Sequence, residues 1–167
     1  LPESGRTAKG TAIVNLLQLA QGEKIAAVIP VEDFESEQYV LMATRNGLIK
    51  KTKLEEYCNI RKTGIQGITL KEDDELIDVR LTDGNNDIIM VTRKGLSIRF
   101  AEEEVRAVGR TSMGVKGISL AKEDKVIGME PINSDKDYIL AITENGFGKR
   151  TEVNEYRQQC RSGKGVL

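Results

Sequence analysis

Few residues in this chain have the type and spacing for covalent chemistry. There is no histidine, which removes the side chain most often used as a general base near neutral pH and the commonest imidazole ligand. Cys58 and Cys160 are the only cysteines. They are too few and too far apart for a zinc site or a disulfide framework, and they fit a reducing, cytoplasmic setting. Asp83-Gly-Asn85-Asn-Asp87 opens like a calcium loop. Its sixth position is Ile88, where the loop needs glycine, and its twelfth is Lys94, where the ion needs a bidentate acid; a polar hairpin turn is the better reading. The acidic runs Glu72-Asp-Asp-Glu75 and Glu102-Glu-Glu104 read as solvated turns and strand ends. No serine or cysteine stands in a nucleophile motif, and no Walker or Rossmann glycine loop is present. The expectation is a chain with no catalytic residue, no metal site and no cofactor of its own.

Binding a polyanion is the chemistry left. Charge nearly cancels, with 25 Lys and Arg against 26 Asp and Glu, so any anionic partner must meet basic residues gathered on one face. The cations do recur in register. Lys51, Arg99 and Arg150 each stand four residues after a glycine, Lys50 and Lys149 precede two of them, and Arg45, Arg93 and Lys94 flank the same turns. Arg6, Arg61, Arg110 and Arg161 lead a second, glycine-containing motif that also carries Lys9, Lys62, Lys116 and Lys164. The motif's fullest form, RTSMGVKGISL at 110–120, spaces Gly114 and Gly117 as a backbone-clamping loop would. It equally suits a turn before a strand. On periodicity alone two readings of the cations stand level: a track for phosphates, or exposed strand positions paired with nearby acids. Seven aromatics and no Trp disfavour base stacking on single strands, so duplex backbone is the better-suited ligand.

These residues are positioned by repeated elements. YVLMATRNGLIKKTKLEEY at 39–57, DIIMVTRKGLSIRFAEEEV at 87–105 and YILAITENGFGKRTEVNEY at 138–156 align without a gap. Thr44, Thr92 and Thr143 coincide, as do Gly47, Gly95 and Gly146, and Glu56, Glu104 and Glu155. A second block, ITLKEDDELIDV at 68–79, matches ISLAKEDKVIGM at 118–129. Each copy holds two apolar, β-branched runs around a two-residue turn, the strongest short-range hairpin signal. ELIDVRLTD and KVIGMEPIN read as further strands, and GITL and GISL as short strand starts.

About four strands per roughly 50 residues is the pattern of a propeller blade, and neighbouring blades bury a shared apolar layer that one small sheet cannot bury alone. The fold class expected is all-β, a propeller-like arc of about three four-stranded blades and part of a fourth. The repeats run approximately 5–57, 61–105 and 110–156, with a truncated one at 161–167. No apolar run reaches 18 residues and no signal peptide is visible, so a soluble chain is expected. The opening Leu1-Pro2 and the closing Gly165-Val166-Leu167 suggest a piece of something longer.

GRTAKGTAIVNLLQLAQGEKIAAVIPV at 5–31, GRTSMGVKGISL at 109–120 and NGFGKRTEVNEY at 145–156 resemble the C-terminal domain of the bacterial DNA gyrase A subunit, over essentially the whole chain. Topoisomerase IV has a related domain in its own A-type subunit, but IVNLL followed by GEKI is more like gyrase. The resemblance implies a β-pinwheel, a propeller-like disc whose blades exchange strands and whose basic outer rim bends duplex DNA without sequence preference. It also implies a parent type IIA topoisomerase that introduces negative supercoils with ATP and Mg²⁺. That parent is an A2B2 assembly with gyrase B, in the bacterial cytoplasm at the nucleoid, and its catalytic tyrosine and ATPase lie outside this segment. The family's Gln-Arg-Gly-rich wrapping box has no match here: Arg161-Ser-Gly-Lys-Gly165 shares only its final Gly-Lys-Gly. Weak DNA binding without wrapping is therefore expected. The alternative is a propeller-like protein-interaction module with incidental charge.

Overall fold

The computed structural model describes residues 5–19, 21–61, 63–134 and 136–167; Lys62, one of the expected rim cations, lies outside the described residues. Nine strands and four short 3-10 turns make up the regular structure. The strands are β1 (Tyr39–Thr44), β2 (Leu48–Lys53), β3 (Leu76–Thr82), β4 (Asp87–Thr92), β5 (Ser97–Ala101), β6 (Val115–Lys116), β7 (Val126–Ile132), β8 (Tyr138–Ile142) and β9 (Gly148–Glu152).

The aligned turns close three hairpins, β1–β2, β4–β5 and β8–β9. Gly47, Gly95 and Gly146 have φ of 86°, 87° and 83°, the left-handed region open to glycine at no steric cost. The aligned threonines lock each turn. The backbone N–H groups of Leu48, Leu96 and Phe147 donate to the hydroxyls of Thr44, Thr92 and Thr143, each at 3.2 Å. The acidic run beside the first turn is not merely solvated. Asp74 is buried and its carboxylate accepts from the N–H of Asn46 at 2.9 Å, as Asp124 accepts from Lys94 N–H at 3.1 Å. Burial pushes the Asp124 carboxyl up, but the Thr92 hydroxyl, the N–H groups of Lys125 and Lys94 and the Lys94 charge outweigh it and hold it below the ordinary value.

Each blade has strands from more than one copy. The first sheet runs β3-β1-β2-β6 and the second β5-β4-β7, while β8-β9 stands as a pair. Thus β6, which follows the second hairpin in the chain, leaves its own copy and pairs antiparallel with β2 of the copy before, Leu48 opposite Lys116 and Ile49 opposite Val115. Val166 does the same for the second blade through a bridge to Ser97. The strand expected at GISL forms instead just before it, at Val115–Lys116, because the amides of Gly117 and Ile118 turn to the Gly47 carbonyl at 2.8 and 3.3 Å. This exchanged, all-β arrangement with sheets that do not close into a ring is the incomplete pinwheel read from the repeats.

The blades stack on apolar layers. Leu41, Ala43 and Ile49 of the first meet Ile88, Met90, Ile98 and Phe100 of the second. Ile89 and Ile132 of the second meet Val153 and Ile139 of the third. The other face of blade one, Val40 and Leu54, is covered by Ile29, Val31 and Phe34. Each large aliphatic or aromatic side chain taken out of water contributes about 1.5–3 kcal/mol.

Candidate nucleic-acid interface

The blade edges differ in charge. β3 and β7 converge on one side, where the Arg80 guanidinium reaches across to Glu130 at 2.9 Å and also pairs with Asp78. Burial is the main reason the Asp78 carboxyl is raised, with the Arg80 charge opposing it. The opposite edge carries the segments that cross between blades. There Ala107 bridges Lys51 and Gln158 bridges Arg99, with Val108 N–H donating to Lys51 O at 2.9 Å and Gln159 N–H to Arg99 O at 2.7 Å. From each bridge the chain loops outward, through 109–114 and 160–165, before returning at Val115 and Val166.

The structure corrects part of the expected cation track. Lys51 is 7% exposed, its ammonium 3.6 Å from the fully buried Glu102 carboxylate and 3.1 Å from the Glu102 carbonyl, with the Tyr39 ring 5.1 Å away. Arg99 lies in the same setting. Its Nε donates to Asp87 at 2.7 Å and its Nη1 to the Val153 carbonyl at 3.0 Å. Glu102 and Val153 hold one aligned position, so each cation reaches the same backbone oxygen of the next copy. Strand alternation points these side chains into the blade junction and away from the rim. Arg150, third in this series, is exposed and stacked 4.2 Å from the centre of the Tyr138 ring.

Lys50 is a second correction. It is 1% exposed and donates to the carbonyls of Gly67, at 2.6 Å, and Arg110. Burial above all, with the Arg110 charge assisting and Glu56 opposing, brings its ammonium down to about 8. Its counterpart Lys149 is exposed. The hairpin-tip cations are engaged as well: Arg45 with Glu75 at 2.8 Å, Arg93 with Glu144 at 3.4 Å, and Lys94 with the Lys122 carbonyl at 2.7 Å.

Arg110 and Arg161 are half-buried struts. Their guanidinium groups donate to the carbonyls of Gln66 and Lys116. Their backbone N–H groups donate to the aligned Glu56 and Glu104 at 2.7 and 2.8 Å. The glycines of the motif fit under neighbouring backbone. A Cβ on Gly114 would stand 2.7 Å from the Ile49 carbonyl oxygen, and one on Gly165 2.6 Å from that of Ser97. Gly165 is therefore the counterpart of Gly114, which aligns Lys164 with Met113 and not with Lys116. Both glycines serve the crossing, so Gly114-x-x-Gly117 is a turn and strand element.

Among the described residues, Arg6, Lys9, Arg61, Lys116 and Lys164 are exposed and form no salt bridge. Arg106 and Arg157, which the sequence reading missed, join them: both are exposed, at one aligned position, on the outward segments. Their signal was available as EVRAVGR and EYRQQCR, a doubled Arg-x-x-x-Arg. An open groove of about 620 Å³ beside them is lined by Glu56, Arg61, Gln66, Arg110 and Thr111 among others. Among the described residues no cluster of His, Cys, Asp and Glu has the form of a metal site, and no helix is long and apolar enough to cross a membrane.

A strand-exchanged arc of propeller blades with basic crossing segments on one edge is a class of its own among all-β folds, and the comparisons agree with it. A family model described as the DNA gyrase C-terminal domain, beta-propeller, matches residues 1–32, 38–83, 86–133 and 137–167. The DNA gyrase A subunit of Clostridium acetobutylicum is 54% identical over 167 residues, covering 100% of this chain and 20% of the relative. That of Haloquadratum walsbyi is 49% identical over 172 residues, with the same two coverages. The chain thus spans about a fifth of the length of the curated relatives it matches. The crystal structure of the C-terminal domain of DNA topoisomerase IV superposes with a TM-score of 0.89 at 38% identity, over 95% of this chain and 49% of that one. A DNA gyrase A C-terminal domain superposes at 0.84 and 24% identity, over 95% and 53%, a likeness of fold. The chain belongs to the DNA gyrase C-terminal domain family.

Proposed function

We propose that this chain binds duplex DNA along the edge that carries the blade crossings, through phosphates and without sequence preference, and bends the duplex over that edge. The observation that carries the reading is the repetition of unpaired cations on successive outward segments: Arg61, then Arg106 and Lys116, then Arg157 and Lys164. The segments are joined by struts that hold them at fixed spacing. Arg6 and Lys9 extend the same series at the other end. Lys50, Lys51 and Arg99 act as structural cations, and Lys149 and Arg150, their counterparts, belong with the blade face. Within a gyrase A subunit, the edge would hold the segment that an A2B2 assembly with gyrase B passes through its gate, using ATP and Mg²⁺ bound elsewhere, in the cytoplasm at the nucleoid. The 54% identity to a gyrase A, against 38% to the topoisomerase IV domain, favours gyrase as the parent.

The test is a gel shift with linear duplex across a salt series. Each neutralised phosphate contributes about 0.9 to the slope of log affinity against log salt. Reversing Arg106, Lys116, Arg157 and Lys164 to Glu should weaken binding at low salt and flatten the slope by about 3–4, equally on unrelated duplex sequences. Retention unchanged by all four reversals would remove the rim assignment, and capture of a protein partner without DNA retention would favour the interaction-module reading.

A further inference from the structure

β8 is one edge of a two-stranded sheet, while its counterparts β1 and β4 each carry an inner strand, β3 and β7, on the same edge. At the other end of the molecule stands the complementary vacancy. KIAAVIPV at 24–31 aligns without a gap with KVIGMEPI at 125–132, most of which is β7, and Pro30 falls on Pro131. It is an inner-strand sequence, yet it belongs to no sheet among the described residues. It is nevertheless already seated as an inner strand should be. Ile132 of β7 packs with Ile139 and Val153 of the following blade, and Val31 packs with Val40 and Leu54, the aligned pair in blade one. One end is a hairpin without its inner strand; the other is an inner strand without its hairpin.

We infer that two copies of this chain associate head to tail, the β8–β9 hairpin of one docking beside residues 24–31 and against blade one of the other. The register follows from β4 and β7, where Ile89 faces Glu130, Met90 faces Met129 and Val91 faces Gly128. Leu140 then faces Ile29, Ala141 faces Val28 and Ile142 faces Ala27. Both surfaces are apolar and uncovered: Leu140 is 63%, Phe147 77% and Val28 77% exposed, an unusual concentration for a surface that meets only water. The polar ends match too. Lys51 and Arg99 donate to the carbonyls of Glu102 and Val153, and Arg150 would find the aligned Leu54 carbonyl of the second copy. This association is independent of DNA binding.

Sedimentation of the 18.5 kDa chain should show mass rising with concentration. Leu140→Glu should weaken association about tenfold or more while leaving the melting temperature of the dilute chain unchanged, because Leu140 is exposed there. Crosslinking fixes the register. In chains with Cys58 and Cys160 replaced by Ser, mixing Ala141→Cys with Val28→Cys should give a disulfide-linked pair. Mixing Ala141→Cys with the exposed Lys122→Cys should not. A chain that stays monomeric at every concentration, a mass indifferent to Leu140→Glu, or equal crosslinking in both mixtures would overturn the inference.

Discussion

At the scale of single residues, the cations divide by what faces them. Glu102 occupies the position held by Leu54 and Val153 in the other copies, all buried. Its carboxylate accepts from the Thr82 hydroxyl at 2.6 Å and has Lys51 as its counter-ion. Lys51→Met alone should destabilise by about 3–5 kcal/mol by leaving that charge unpaired. Adding Glu102→Leu should recover most of the loss, since an aliphatic residue fills this site elsewhere; urea denaturation of the single and double variants measures both. Lys50 yields a pH signature. Its ammonium titrates near 8 when folded and near 10.4 in an unfolded chain. Between those values the unfolded state holds the extra proton, so stability rises with pH across that window and is flat below it. Compared between pH 7.5 and 9.5, the melting temperature of the wild type should climb relative to that of Lys50→Met, whose own curve lacks this contribution. Equal slopes would show that Lys50 ionises as it would in water.

The elements were the most legible part of the sequence, and the crossings the least. Asn-Gly and Lys-Gly turns between β-branched runs identify the hairpins by local sterics alone, and all three stand where the glycines put them. Which face of β2 and β5 meets a neighbour depends on the next copy, some 50 residues on, and no local pattern reports it. Lys51 and Arg99 therefore look like rim cations until the carbonyls of Glu102 and Val153 arrive beside them. Arg106 and Arg157 escaped notice because they fall just past the end of the aligned hairpin block. The crossing itself is testable at Gly114. Gly114→Ala would drive a methyl into the Ile49 carbonyl and should cost about 1–3 kcal/mol. Amide exchange should accelerate at Ile49 and Lys116 in particular. Gly10→Ala, with nothing within 4 Å of its added Cβ, should leave exchange unaltered.

For the whole molecule, every blade touches only its neighbours, so stability is a sum of blade terms and junction terms. The junction of blades one and two holds the largest apolar layer, whereas β8 and β9 are largely exposed. Hydrogen exchange in dilute solution should accordingly be slowest across β1, β2 and β4 and fastest in β8–β9. Raising the protein concentration should slow the β8–β9 amides selectively if the second copy covers them. Uniform protection along the chain would contradict a nearest-neighbour arrangement.

The crossing of β6 from one copy into the sheet of another also bears on how such a chain can grow or shrink. The unit copied in the sequence and the unit stacked in space are out of phase, because a blade closes only with material from the following copy. A duplication or loss of one stretch of about 50 residues at any phase therefore leaves every interior hairpin with a donor on its outer edge and an inner strand on the other. Changes in blade number alter only the two termini and need no redesigned junction. Arc length, and with it the length of any polymer laid along the rim, is free to vary between lineages by whole repeats.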